Sequence, residues 1–545
     1  MTRRVWVSLS LAALLVVAMA VAGCGASAPT NSTTTSATST LVTTTAAGTK
    51  PVPSVTWALY RDVNTLDPDF AFDDPENTAV TLMCESLLRQ APDGSVGPGL
   101  ATLAIPTPTT YVFTLRPGVK FWDGNPVTPA DVVFSITRQM DPKVGGFYQA
   151  MFTRVQLVQA TGANQVTITL KQPDYWLEGE LSSIPGIVLE RSFVEKEGKN
   201  YGAPGGSIMG TGAFMLKSWN TANGVVAIPN PHYWDASVKT PLVQQIVLRG
   251  FAGTASLSSG LLTGSIQGSY PTDLATLLQL QQSGAVKVYQ GRCGSTDALV
   301  ICSFKGALGD VRVRQALSLA LDRQAVIDSV YHGAAQLPRW LANPGTFGYG
   351  QSVFSAAYDS SPAMKQDVAK AKQLIQQAGA AGTTITIGMS SGMPRSVGDA
   401  AAYQAAGEAI GLNVKFRAVS PANFINFFID PKFREGVDAF PTTNYGDYAD
   451  PAALLKTVVL PDGSQNFSGF SDPKTTSLLD QARSTADPDQ RASLVAKAEE
   501  AVAQQLPWIP TVQPNIVLVL GKGLTGAVPT FSYMFAPWAN QLGGR

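Results

Sequence analysis

Residues 383–419 read TTITIGMSSGMPRSVGDAAAYQAAGEAIGLNVKFRAV. TTITIGM is rich in β-branched residues and reads as a strand. SVGDAAAYQAAGEAIG is alanine-rich and reads as a helix stopped by Gly411. NVKFRAV is a second strand. Strand, helix, strand in so short a span is a βαβ unit, which calls for a parallel sheet with the helix on its face and makes the fold class α/β.

Upstream, Val368, Ala371, Ile375 and Ala378 keep helical spacing, with Ser361-Pro362 as the expected cap and Gly379 as the stop. Downstream, GVDAFPTTN is a further strand, and it runs into TTNYGDYADP at residues 442–451. In open α/β sheets, ligands collect outside the carboxyl ends of strands, and NYGDYADP stands at such an end. It holds Asp447 and Asp450 but no lysine or arginine. A carboxylate held away from water without a cation is costly unless a partner arrives or its pKa rises. Asp450, followed by Pro451, also reads as the cap of the next helix.

Toward the N-terminus, TTYVFTLRPGVKFWDG reads as two short strands around Pro117-Gly118, and NQVTITLKQP as another strand. TPADVVFSITRQM reads as a helix capped by Thr128 with Pro129 at its first position. The start of the chain has a different character: Arg3-Arg4, an apolar run from Val5 to Ala22, then VAGC ending at Cys24. This resembles a bacterial lipoprotein signal, which implies removal of 1–23, acylation of Cys24 and attachment to the cell membrane on its extracytoplasmic side. The arginine pair also fits twin-arginine export. Residues 24–54 are dominated by threonine, serine and alanine and read as a flexible stalk whose hydroxyls could carry sugars.

Composition narrows the function. Lys+Arg and Asp+Glu each number 39, and loss of 1–23 leaves two more acids than bases, so no basic stripe points to nucleic acid or an anionic membrane surface. Cys84 reads as a small buried apolar residue. Cys293 and Cys302, flanking GSTDALVI, form a candidate disulfide. The cysteine and histidine spacings suit no metal site, and no cofactor is called for. GMSSG at 388–392 matches a nucleophile elbow, but His232 and His332 both precede Ser390, the wrong chain order for an α/β-hydrolase. A secreted hydrolase using Ser390 is therefore the remote alternative. His232 reads as a turn residue and His332 as part of a helix's last turn.

Four stretches, NTLDPDFAFDDPENTAVTLMCESLLR (64–89), TLRPGVKFWDGNPVTPADVVFSITR (114–138), GDVRVRQALSLALDRQAVIDSVYHGAA (309–335) and the late NFSGFSDPKTTSLLDQARSTADPDQRASLVAKAEEAVAQQLPWIP (466–510), resemble the dipeptide- and oligopeptide-binding family of extracytoplasmic solute receptors for ABC importers, bacterial solute-binding protein family 5. The resemblance implies a two-lobed, class II periplasmic-binding-protein-like fold. Lobe one would comprise 55–292 plus 508–545, with an inserted subdomain at about 72–205, and lobe two 293–507, with crossings near ALVICSF and PWIPTV. It implies a non-enzymatic monomer whose lobes close over a peptide and present it to permease subunits. By the same resemblance Asp447 would pair with the peptide's α-amino group, backbone groups of Tyr445 and Gly446 with its main chain, and Arg395, in GMPRSVG, with its carboxylate. The family also serves nickel chelates, haem and sugars, and a cell-envelope regulatory lipoprotein on the same fold is a further alternative.

Overall fold

The computed structural model describes residues 40–220, 222–235, 241–251 and 253–545. The signal sequence, Cys24 and the linker through residue 39 lie outside the described residues.

The βαβ unit forms as its pattern dictates. Strands Thr384–Ser390 and Asn413–Val419 run parallel, paired from Thr384↔Asn413 to Ser390↔Val419, and helix Pro394–Ala409 connects them. Gly411, at φ +86°, turns the chain out of the helix. Gly407 is required for close packing, since a Cβ there would stand 2.5 Å from Val414 on the adjoining strand. The preceding helix, Val368–Ala378, is capped by Asp367, whose carboxylate accepts from Lys370 N at 2.9 Å, and not by Ser361-Pro362. A separate helix, Gln351–Ser360, ends at Ser361, so that pair punctuates the end of one helix and not the start of the next.

One twelve-stranded sheet runs through the molecule; ten strands follow the order Asn413–Val419, Thr384–Ser390, Ala439–Tyr445, Ser295–Ile301, Trp508–Gly521, Gly268–Ser269, Val55–Leu59, Ile246–Gly250, Gly224–Pro229, Phe214–Asn220, and Val286–Arg292 and Ala335–Gln336 each pair with Trp508–Gly521 off that path. Strand Trp508–Gly521 belongs to both halves. Its first residues pair with Ser295–Ile301 and its last with Val286–Arg292. Between these two ladders lie residues 293–296 of one chain segment and 513–514 of the other.

The buried side chains form three clusters among the described residues, one of which joins Ala58, Leu261 and Val286 to Leu299, Leu317 and Ile387. In the first, Trp57 lies 4.3 Å from the Trp538 ring centre, and Tyr270 stacks on Tyr533 at 3.7 Å. Gly268 is the only residue type that fits under Trp57, because a Cβ would fall 2.2 Å from its ring. Rings of this size buried together dominate core energetics. The second half gathers Trp340, Phe440, Leu454 and Val495, and into this core Trp176 is inserted from the N-terminal part of the chain.

Trp176 follows a small antiparallel sheet, ordered Ala101–Thr107, Thr110–Leu115, Gln165–Leu170, Val155–Gly162, inserted between strands Val55–Leu59 and Phe214–Asn220. Helix Pro129–Met140 packs on it, opened by a capping box between Thr128 and Asp131. After Pro117-Gly118 there is only an isolated bridge, Lys120↔Pro126, where the sequence suggests a second strand.

Three further expectations are corrected. Residues 40–54 are not a free stalk. Val42 N donates to Gln290 O at 2.8 Å, Thr45 Oγ1 to Ala527 O at 2.8 Å, and Gly48 N to Gln541 O at 2.9 Å, while Lys50 and Gly544 bridge reciprocally. A threonine-rich segment without core-forming side chains is held here by backbone and hydroxyl hydrogen bonds, which composition does not reveal. Cys293 and Cys302 are free thiols, as is Cys84. Strand Ser295–Ile301 separates the pair in extended form, and nine steps of about 3.3 Å exceed the roughly 7 Å reach of a disulfide several-fold. His332, at φ +49°, lies beyond helix Arg323–Ser329 in a turn completed by Gly333.

Candidate ligand-binding site

Strand Ala439–Tyr445 delivers the turn 446–450 to the boundary between the halves. It pairs along its whole length with Ser295–Ile301, but with Thr384–Ser390 only at Ile387↔Ala439, so the other edge is unpaired toward its carboxyl end. Gly446 lets the turn lie on helix Pro451–Val459, where a Cβ would stand 2.5 Å from that of Ala453. Asp450 caps this helix, accepting from Ala452 N at 2.8 Å and from Tyr349 Oη at 3.2 Å. It is fully engaged in structure.

Asp447 is not. Its backbone carbonyl accepts from Gln90 Nε2 at 3.3 Å, across the boundary. Its half-buried carboxylate has no hydrogen bond or ion pair among the described residues. Burial pushes it up to about 6, with Lys456 pulling it down and Glu180 pushing it up. Lys456, however, is committed: its Nζ stands 2.6 Å from Glu180 Oε1 and 3.5 Å from Tyr448 Oη.

The neighbouring tyrosines close the turn against the first half. Tyr445 donates to Phe72 O at 3.1 Å and meets Phe531 edge-on at 5.3 Å. Tyr448 lies against Gly179, where no side chain would fit. Nearby, Phe72 and Phe147 stack at 4.5 Å with both rings substantially exposed, and Tyr148 holds the same segment by donating to Ala71 O at 2.7 Å. A cavity of about 250 Å³ adjoins the turn, lined by Val42, Gln90, Arg292, Gly446, Tyr448 and Phe531 among others, and Asp447 is not in its wall.

Arg395, in the first turn of helix Pro394–Ala409, faces Asp297 at 3.8 Å, so it has a countercharge of the protein's own. Asp297 also accepts from Tyr331 and Thr443. Ser390 is fully buried, and its Oγ has no hydrogen-bond partner.

The family model for bacterial extracellular solute-binding proteins, family 5 Middle, matches residues 96–466. The chain belongs to this family. This family 5 protein is a binding protein and not an enzyme. It is 27% identical over 480 residues to the periplasmic murein peptide-binding protein MppA of Escherichia coli, covering 82% of this chain and 85% of that one. It is 26% identical over 496 residues to the periplasmic oligopeptide-binding protein OppA of Salmonella typhimurium, covering 86% and 89%. Among solved structures, Helicobacter pylori DppA, an ABC transporter-associated periplasmic binding protein in complex with the peptide STSA, superposes with a TM-score of 0.76 at 22% identity, over 91% of this chain and 98% of that one. The fold is therefore the two-lobed α/β periplasmic-binding-protein fold.

Sequence reading missed Gln90, Glu180 and Lys456. Two of them carried a signal: Lys456 is the lone charge in PAALLKTVVL, and Glu180 lies in the largely apolar WLEGELSSIPG. A charge in an apolar segment has to find a buried partner, and these two found each other.

Proposed function

We propose that this family 5 protein captures peptides between its lobes, divided as 55–292 with 508–545 and 293–507, and hands them to an ABC importer while tethered through an acylated Cys24. The observation that carries this reading is Asp447: an unpaired carboxylate at the carboxyl end of a sheet strand, at the lobe boundary, with its nearest cation already engaged. An α-ammonium group brings the missing countercharge and its own hydrogen-bond donors, and a charge-assisted contact in a half-buried site discriminates against ligands without an amine. The unpaired edge of the strand ending at Tyr445, together with Gly446, suits an extended main chain added as a further strand, which leaves side-chain recognition to the surroundings. Support comes also from the peptide ligands named for MppA, OppA and DppA.

Arg395 suits a ligand carboxylate less well, because that carboxylate would have to displace Asp297. The amine is then the principal charged anchor, and tolerance of different peptide lengths follows.

The test is titration with tetrapeptide libraries bearing free or acetylated N-termini, read by native mass spectrometry. Retention of the free-amine library alone is expected, and Asp447→Asn should abolish the preference. Equal retention of both libraries by the unaltered protein overturns the assignment of Asp447.

A further inference from the structure

A half-buried acid close to a lysine would ordinarily be neutralised by it. Lys456 extends from helix Pro451–Val459, and its Nζ lies 5.2 Å from the ring centre of Tyr448, the residue following Asp447, and 3.5 Å from that ring's hydroxyl. It nonetheless forms its ion pair with Glu180, which belongs to the inserted part of the first lobe. Glu180 is fully buried and its Oε2 has no hydrogen-bond partner. Burial raises the Asp447 carboxyl, and next to burial Lys456 draws it down while Glu180 pushes it up.

The charges of this cluster do not cancel. Asp174 and Arg483, beside Glu180, neutralise each other. Glu180, Lys456 and Asp447 together carry one negative charge in excess when ionised. An uncompensated charge in a shielded site is costly, and an arriving ammonium group removes the excess. Replacing Glu180 by a neutral residue would remove it as well, and without a ligand, because Lys456 would be released to Asp447.

We infer that Glu180 is a positioning residue for the amine site: by holding Lys456 across the lobe boundary, it reserves Asp447 for a positive charge brought by the ligand. The inference rests on the peptide-capture reading above and adds the element that keeps the capture group vacant. Because Glu180 and Lys456 come from different lobes, the reservation is made only when the lobes approach.

The test compares the unaltered protein with Glu180→Gln and with Glu180→Gln/Lys456→Met, using the same free and acetylated tetrapeptide libraries. Glu180→Gln should weaken binding of free-amine peptides by about tenfold or more, the effect of one misplaced neighbouring charge, and narrow the discrimination against acetylated ones. The double variant should restore both, since the competing cation is gone. A loss in Glu180→Gln that the double variant does not restore assigns Glu180 to lobe closure alone and overturns the inference. Unchanged affinity in Glu180→Gln overturns it too. Retention of neither library, or of both equally, by the unaltered protein defeats the peptide-capture reading itself, an outcome separable from failure of the variants.

Discussion

Asp174 and Arg483, 309 positions apart in the chain, form a two-point ion pair, with Nε 2.8 Å from Oδ1 and Nη2 2.5 Å from Oδ2. Asp174 is almost wholly buried. The pair ties the inserted part of the first lobe to helix Pro473–Arg483 of the second, and Tyr175 N donates to Arg483 O at 2.8 Å beside it. Arg154 adds a contact to Asp480. Approach of the lobes is therefore secured by ion pairs in which Asp447 takes no part.

Arg483→Met should be strongly destabilising. It strands the Asp174 carboxylate in a site closed to water, and breaking a buried pair from one side costs about 3–5 kcal/mol. Urea unfolding should show the loss, and solution scattering should show a larger mean radius in the absence of ligand. Asp174→Asn/Arg483→Met should recover much of the stability, because no charge is left unpaired.

The carboxyl of Asp447, raised from 3.8 to about 6 chiefly by burial, makes stability and binding depend on pH in opposite senses. Protonated Asp447 carries no penalty, so its cost to folding is absent below about pH 4, grows as pH rises and is complete above about pH 6. Asp447→Asn should accordingly stabilise the empty protein at pH 7.5 by about 1–2 kcal/mol, after allowance for partial solvent screening, and change nothing at pH 4. Binding of free-amine peptides needs the ionised form. Affinity should fall as pH drops through 6, and calorimetry near pH 6 in buffers of different ionisation enthalpy should detect proton release on binding.

The cysteines should behave as three unreactive thiols. Burial pushes Cys293 up to about 11 and Cys302 up to about 12, so little thiolate exists at neutral pH. Protein beginning at residue 25 should show almost no reaction with a thiol reagent when folded and three equivalents when denatured without reductant. One equivalent after denaturation would show that Cys293 and Cys302 are bridged.

A protein starting at residue 53, without the segment 40–52, should be less stable than one starting at residue 40. The segment's backbone and hydroxyl bonds to 525–527 and 541–544 are each worth about 0.5–1.5 kcal/mol, offset by the ordering of the segment, for a net loss of about 1–3 kcal/mol. Thermal melting of the two forms decides it.

The legible parts of the sequence were those set by local chemistry. The βαβ unit at 383–419 announces itself through strand-forming threonine and isoleucine, an alanine-rich helix and Gly411, and the structure reproduces it. Thr128 and Asp450 act as caps, with Pro129 and Pro451 at the first helical positions, because capping depends on the few residues around it. Long-range pairings were not legible. Lys456–Glu180 joins residues 276 positions apart, and nothing near either names the other. The free stalk was misread because threonine hydroxyls and bare backbone find partners only where the C-terminal segment happens to lie. Asp447 could be located from its strand end, but that its neighbouring lysine is held elsewhere required the whole fold.

Docking of 40–52 onto the body moves the place where the folded protein starts. If Cys24 bears the acyl chains, only the residues up to Ser39 separate the lipid from the docked segment, and whatever path they follow they can span no more than about 55 Å. A leash running to Ser54 would reach about twice as far. The shorter one would keep such a tethered protein close above the bilayer, in the layer where the ectodomain of a permease would meet it.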